Sequence, residues 1–483
     1  MRVHSGGMKV SGFAGIQDDP SKGHDVIDKV IAYIDKNRQA FADRLLDLLR
    51  IPSISTDPDR KDDVRRAAEW VGGLFDTCGI KSEVVKTPGH PSVIAEAGPA
   101  DATGPTVLVY GHHDVQPVGE ISLWDSPAFE PAIRKGRVFA RGSADDKGQM
   151  LAHLLAAESW MRVAGALPCR VKYLIEGEEE IGSPNLAGLI RARREQLVCD
   201  YVALSDTPKF NPSMPAITYG TKGLVYKEIR AVGPRQDLHS GSYGGTITNP
   251  GNALAAIIAS MHDMHRRVTI PGFYEDVRDL TKQERANLLR LPFDEAAYQA
   301  FTGASVLDGE QGYSTIERRW ARPTLDVNGW LGGFVGDGAS TIIPAKMKVK
   351  VSMRLVPDQD PGRISEAFDQ AVADAAPPGV RLEVLTHSSC GPYLCPLESP
   401  GMRAAAAAVK AGFGTEPVFI REGGSLPILP LFKEVLGADS LMLGFCDPDC
   451  NAHGPNEYFA LDDFHSGIKT AAHLLDGIAR LGS

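Results

Sequence analysis

The sequence predicts an α/β fold, a mostly parallel central sheet with helices on both faces, interrupted by an inserted α+β region. Two observations predict it. Short runs rich in β-branched residues alternate with helix-length stretches as far as Asp206, the rhythm of strands joined by crossover helices. That rhythm stops at a Pro-, Gly- and Thr-rich passage, TPKFNPSMPAITYGTKG, and resumes after a second loop-like passage, THSSCGPYLCPLESPG. The first and last parts are therefore expected to fold together around the middle one.

Taken in order, Val26, Ile27, Val30, Ile31 and Ile34, then Leu45, Leu46, Leu48 and Leu49, recur at helical spacing and predict an amphipathic helix over residues 24–50. DDVRRAAEWVGGLFDTCGI predicts another, stopped at Gly79. SEVVKT, SVIAEA and TVLVYG read as strands, followed by the helix DKGQMLAHLLAAESWMR, the strand RVKYLIEG, the helix PNLAGLIRARREQ and the strand DYVALSD. In the middle region LVYKEIRAV and AKMKVKVSMRLV are strand-like, and NPGNALAAIIASMHD and GRISEAFDQAVADAA helical. The good helix former AAAAAVKA, the strands PVFIRE and SLMLGF and the helix FHSGIKTAAHLLDGIARL complete the return. The expected division is a disordered extension over 1–22, a sheet domain in two parts, 23–215 and 391–483, and an insertion over 216–390.

Composition narrows the function. Lys and Arg total 51 against 61 Asp and Glu, a net charge of −10, so there is no basic footprint for nucleic acid and small substrates are favoured. No apolar run approaches the roughly 18 residues of a membrane span. The opening MRVHSGGMKVSGFAGIQDDP lacks the sections of a secretory signal, which predicts a cytoplasmic protein with no membrane partner. The seven cysteines are scattered, unlike a disulfide framework, and Cys446 and Cys450 lack the second pair of a zinc ribbon.

In an open sheet of this kind ligands gather beyond the carboxyl ends of the strands. TVLVYG delivers His112, His113 and Asp114 there; ARGSADDKG offers Asp145 and Asp146; RVKYLIEG is followed by Glu178, Glu179 and Glu180; DYVALSD delivers Asp206; and SLMLGFCDPDCNAHGPNE delivers His453. Singly each has a plain reading: an Asp before a helix is most often a cap, a strand-end His a hydrogen-bonded residue, and EGEEEIGSP a charged loop. Together they make an inventory of two His and three acids. That is the set needed to hold two divalent ions, Zn2+ foremost and Mn2+ as the alternative, with one carboxylate shared. His112 and Asp206 are expected on one ion, Glu180 and His453 on the other, and Asp145 between them. Glu179, left off the metals, suits a general base that takes the proton of the attacking water and passes it to the leaving nitrogen. Asp114, two residues from His112 in an extended chain, is placed to orient that ring. His113 faces elsewhere.

GHHDVQP, ARGSADDKG, EGEEEIGS, LSD and AHGPNE, in this order and spacing, resemble the five metal-site motifs of the aminoacylase and carboxypeptidase G superfamily of two-zinc exopeptidases. YGHHDVQPV, DLHSGSYGG, VSMRLVPDQDPG and REGGSLP are most similar to its cytosolic nonspecific dipeptidase and carnosinase branch. The match runs from about residue 25 to near the end, and His113, where the family carries an apolar residue, is a minor departure. The resemblance implies a metallopeptidase catalytic domain, with the insertion acting as lid and homodimer interface. It also implies a cis peptide between Asp145 and Asp146. His239 would reach the partner's active site and polarise the scissile carbonyl, Arg354 would grip the substrate carboxylate, and Thr341, Gly424 and Ser425 would line the substrate's end. The implied activity is hydrolysis of dipeptides or similar small peptides through a metal-bridging hydroxide. The rivals are an N-acyl-amino-acid amidohydrolase, which shares every metal ligand, and a metal-dependent binding protein, which has no need of Glu179.

Overall fold

The structure, a computed structural model, describes residues 20–99 and 103–482, and most of the extension expected over 1–22 lies outside them. Strands β1 (Lys81–Val85), β2 (Ser92–Ala97), β3 (Val107–His112), β4 (Ala132–Arg134), β5 (Arg137–Phe139), β6 (Val171–Glu176), β7 (Tyr201–Leu204) and β8 (Ala216–Thr221) come first. The middle region supplies β9 (Gly223–Val232), β10 (Leu238–His239), β11 (Thr324–Gly332), β12 (Ile342–Ile343), β13 (Lys346–Leu355) and β14 (Arg381–Cys390). Last come β15 (Tyr393–Leu394), β16 (Val418–Glu422), β17 (Asp439–Gly444) and β18 (Tyr458–Ala460).

Nine of these form one mixed sheet in the order β1-β2-β6-β3-β7-β17-β8-β15, with β16 also on β8. Its centre is parallel, as expected: β6, β3, β7 and β17 are successive parallel neighbours. Toward the edges β1–β2, β2–β6, β17–β8 and β8–β15 are antiparallel. The central strands are apolar along their length, as in Val107, Leu108, Val109 and Tyr110 of β3, because both faces are covered. Helix Lys61–Thr77 packs on β1 and β2, Lys147–Ala164 on β3, and Pro400–Phe413 and Ile428–Leu436 on β17.

Two local expectations are corrected. The single helix expected over 24–50 is two, Pro20–Lys36 and Arg38–Leu49, parted at Asn37, whose side chain bonds back to the Tyr33 carbonyl (2.8 Å). AITYGT, read as loop and assigned to the insertion, is β8, a fully buried strand of the large sheet. Its Thr and Gly residues belong there because β16 and β17 flank it on both sides.

The rest of the middle region builds its own unit. β11-β13-β9-β14 is an antiparallel four-stranded sheet. On β13 Val349, Val351 and Met353 point inward and meet helices Pro250–Ser260 and Pro361–Asp374, while Lys348, Lys350 and Arg354 face out. This alternation is that of a sheet covered on one side. Three helices were not anticipated from the sequence, Lys282–Arg290, Glu295–Thr302 and Thr315–Ala321; the first and third pack against β8 and β16 of the large sheet through Leu288, Ile316 and Trp320.

Candidate metal centre

Four parallel neighbours must end at the same edge of a sheet, and β6, β3, β7 and β17 are the strands whose ends carry Glu179 and Glu180, His112, Asp206 and His453. Asp145 joins them from the turn ahead of helix Lys147–Ala164, and its peptide bond to Asp146 is cis. Two sets of donor atoms result, His112, Asp145 and Asp206 in one and Asp145, Glu180 and His453 in the other, each within 4.8 Å of one another. Asp145 serves both through different oxygens: Oδ1 lies 3.1 Å from His112 Nε2 and Oδ2 lies 2.8 Å from His453 Nε2. Asp206 Oδ2 is 4.0 Å from His112 Nε2, and Glu180 Oε2 is 3.3 Å from His453 Nε2. Glu179 stands in neither set.

Asp114 does more than the sequence suggested. Its Oδ1 lies 3.4 Å from His112 Nδ1, whose nearer partner is the Asp114 carbonyl at 3.1 Å. The same carboxylate accepts the backbone N–H of Glu179 (3.2 Å) and Glu180 (3.1 Å). One buried side chain thus orients the ring and fixes the turn that parts the two glutamates. Their neighbour Glu178 is buried, accepting N–H groups from His90 (2.8 Å) and from Asn185. A Cβ at Gly89 would fall 1.7 Å from its Oε1, so a side chain there would push Glu178 off these partners. Gln116 donates to Glu180 Oε2 (2.7 Å), a contact the sequence did not reveal. His113 is buried against the Pro91 carbonyl, where burial pushes its pKa down to about 4.

The electrostatics call for cations. Burial opposes charge on His112, yet its hydrogen bonds to Asp114 and Asp145 outweigh that and hold its pKa well above the ordinary value. Hydrogen bonds to Asp145 and Glu180 push His453 up to about 10. Burial, reinforced by Asp145, raises Asp206 to about 7. Burial also lifts Glu179 well above the carboxylate range, with Asp206 and Glu180 adding to it against the pull of His112. Imidazole and carboxylate donors crowded with surplus negative charge fit divalent cations.

The remaining candidates fall into two pairs. His239 and Thr341 meet on the β10–β12 ribbon, where Ser240 N–H bonds to the Thr341 carbonyl (2.9 Å). His239 Nδ1 accepts the N–H of Gly241 (3.0 Å) and Ser242 (3.3 Å), which leaves Nε2 to carry the proton. Arg354 Nη1 donates to Ser425 Oγ (2.8 Å), and the adjacent Gly424 carbonyl accepts from Lys222 N–H (3.1 Å). Among the described residues neither pair is hydrogen-bonded to the two donor sets.

At the level of class, a sheet edge with two cation-seeking donor sets and a spare raised carboxyl defines a hydrolase scaffold. Comparison then supplies the family. Residues 108–477 match the model of Peptidase family M20/M25/M40, and the chain belongs to that family. It is 32% identical over 459 residues to the Cys-Gly metallodipeptidase dug1 of Schizosaccharomyces pombe, covering 92% of this chain and 96% of the relative. It is 27% identical over 485 residues to the human Beta-Ala-His dipeptidase, covering 97% and 96%. Among solved structures it superposes on an M20 family metallo-carboxypeptidase from Sulfolobus solfataricus with a TM-score of 0.82 and 35% identity, over 91% of this chain and 99% of that one.

Proposed function

We infer that this chain is a metal-dependent dipeptidase, hydrolysing the peptide bond of dipeptides or similar small peptides. The observation that carries the reading is the split use of Asp145, one oxygen toward His112 and the other toward His453, with Glu179 outside both sets. His112 and Asp206 would hold one divalent ion and Glu180 and His453 the other, with Asp145 on both. Zn2+ suits these donors best and Mn2+ is the alternative. When bound, such ions lower the pKa of water and polarise a carbonyl. Glu179 takes the proton from the attacking water and returns it to the leaving amine; a carboxyl raised by burial is suited to holding that proton between the two transfers. Asp114 keeps His112 and the Glu179–Glu180 turn in register.

In the same reading Arg354, braced by Ser425, takes the substrate carboxylate, for which a guanidinium fork is matched. Thr341 and Gly424 line that end. The unit from β9 to β14 is a lid and homodimer interface, and His239, proton on Nε2, donates to the scissile carbonyl in the partner's site. The enzyme works in the cytoplasm. Among the described residues no helix is long and apolar enough to cross a membrane.

The test is hydrolysis of a panel of dipeptides, tripeptides and N-acyl amino acids by protein loaded with Zn2+ or Mn2+, with metal analysis on the same sample. Dipeptides should be cleaved fastest and chelator should abolish the activity. Faster turnover of the acyl amino acids would overturn the reading. Faster release of a C-terminal residue from tripeptides would move it toward carboxypeptidase action, the activity named for the Sulfolobus relative.

A further inference from the structure

Glu457 is fully buried, and nothing in the proposed chemistry uses it. Its carboxylate accepts four hydrogen bonds, two on each oxygen. Oε2 takes Arg141 Nη1 (2.7 Å) and Gly142 N–H (2.8 Å); Oε1 takes Ala144 N–H (2.8 Å) and Asp145 N–H (3.0 Å). The Glu457 carbonyl also accepts Ala140 N–H (3.1 Å), where β18 pairs with β5. Four residues earlier in the same segment stands His453. The segment between them is fastened: Asn456 accepts the N–H of Asp125 (2.9 Å) and donates to the Leu123 carbonyl (2.9 Å), and Tyr458 N–H bonds to the Cys450 carbonyl (3.0 Å).

We propose that Glu457 is a positioning residue that ties the two donor sets into one unit: it sets the backbone that presents Asp145, from the segment that presents His453. The inference rests on the metal-centre reading above. A carboxylate is required because four donors converge on two acceptor oxygens. An amide keeps one oxygen and turns an NH2 group on the other two donors, leaving buried groups unpaired. A displaced Asp145 loosens both ions together, since each set uses one of its oxygens.

The experiment compares wild-type with Glu457→Gln by chelator competition for Zn2+ and by kinetics of dipeptide cleavage. Hydrogen exchange of the segment 141–146 is measured on both metal-free proteins. Affinity for both ions should fall together by about 10- to 100-fold, the usual cost of losing an outer partner. The turnover number should drop with KM unchanged, and exchange in 141–146 should quicken. Unchanged affinity and turnover overturn the proposal even if the melting temperature falls, because that is the signature of a merely structural ion pair. Loosening of one ion alone also overturns it. Should Glu457→Gln fail to fold, the wild-type arm decides: amides of Gly142, Ala144 and Asp145 that stay protected without metal support a Glu457-set loop, and unprotected ones refute it. A wild-type protein that binds no divalent ion would sink the functional reading instead, which keeps the two failures apart.

Discussion

The two halves of the proposed centre are built differently. His112 is fully buried, the last residue of a central strand, with its ring held from behind by Asp114. The side chain of His453 is 58% exposed and belongs to a loop in which Asn451, His453 and Asn456 all adopt left-handed backbone conformations. One half is a product of the sheet and the other is fastened onto it. Asp145 is common to both donor sets, although one lies buried and the other at the surface.

This contrast breaks most severely at the shared residue. Asp145→Asn should remove both ions and all measurable turnover; metal analysis that still finds one ion firmly held would show the halves to be independent. Next in size is Glu179→Gln, which should keep both ions while turnover falls by about 10²–10⁴, and a fully active variant would mean that another group moves the proton. Asp114→Asn comes third. It disturbs the His112 ring and the glutamate turn together, so Zn2+ affinity measured by competition should fall by roughly 10- to 100-fold. The asymmetry itself is sharpened by stepwise chelation: the ion on the exposed His453 side should leave first, and His453→Ala should retain the ion that His112→Ala loses.

The smallest effect concerns the floor of the buried half. Glu176, paired in register with His112, accepts from Tyr110 and Ser183, and burial pushes its pKa up to about 8 from an ordinary 4.5. A raised folded-state pKa contributes stability that is complete below the unfolded value and is lost as pH climbs through the folded one. Thermal melts should therefore show wild-type losing ground to Glu176→Gln between pH 5 and pH 8, with the two close to equal at the acid end. Parallel melting curves across that range would mean that Glu176 is ionised in the folded chain.

Much of this centre was legible in the sequence because strand ends carry their own signal. His112, Glu179, Glu180 and Asp206 each follow a β-branched run within a few residues, and neighbouring parallel strands deliver such residues to one edge whatever lies between them. What stayed hidden depends on partners far along the chain. Glu457 accepts from amides more than three hundred positions earlier, at separations of 312 to 315 residues. β8 was misread because Pro, Gly and Thr mark turns in isolation, and only β16 and β17, two hundred residues on, make it a strand. Glu178 read only as one acid of a charged loop, since nothing local foretells that His90 and Asn185 enclose it.

The position of β17 has a consequence for how the molecule is made. It lies between β7 and β8, in the middle of the large sheet, yet it begins only at Asp439. While the chain is still leaving the ribosome, β7 has no partner on that flank and offers an open row of amides and carbonyls to any passing strand. The centre of the sheet is therefore closed only after β1 to β8 have been made, and the second donor set, with His453, is completed later still.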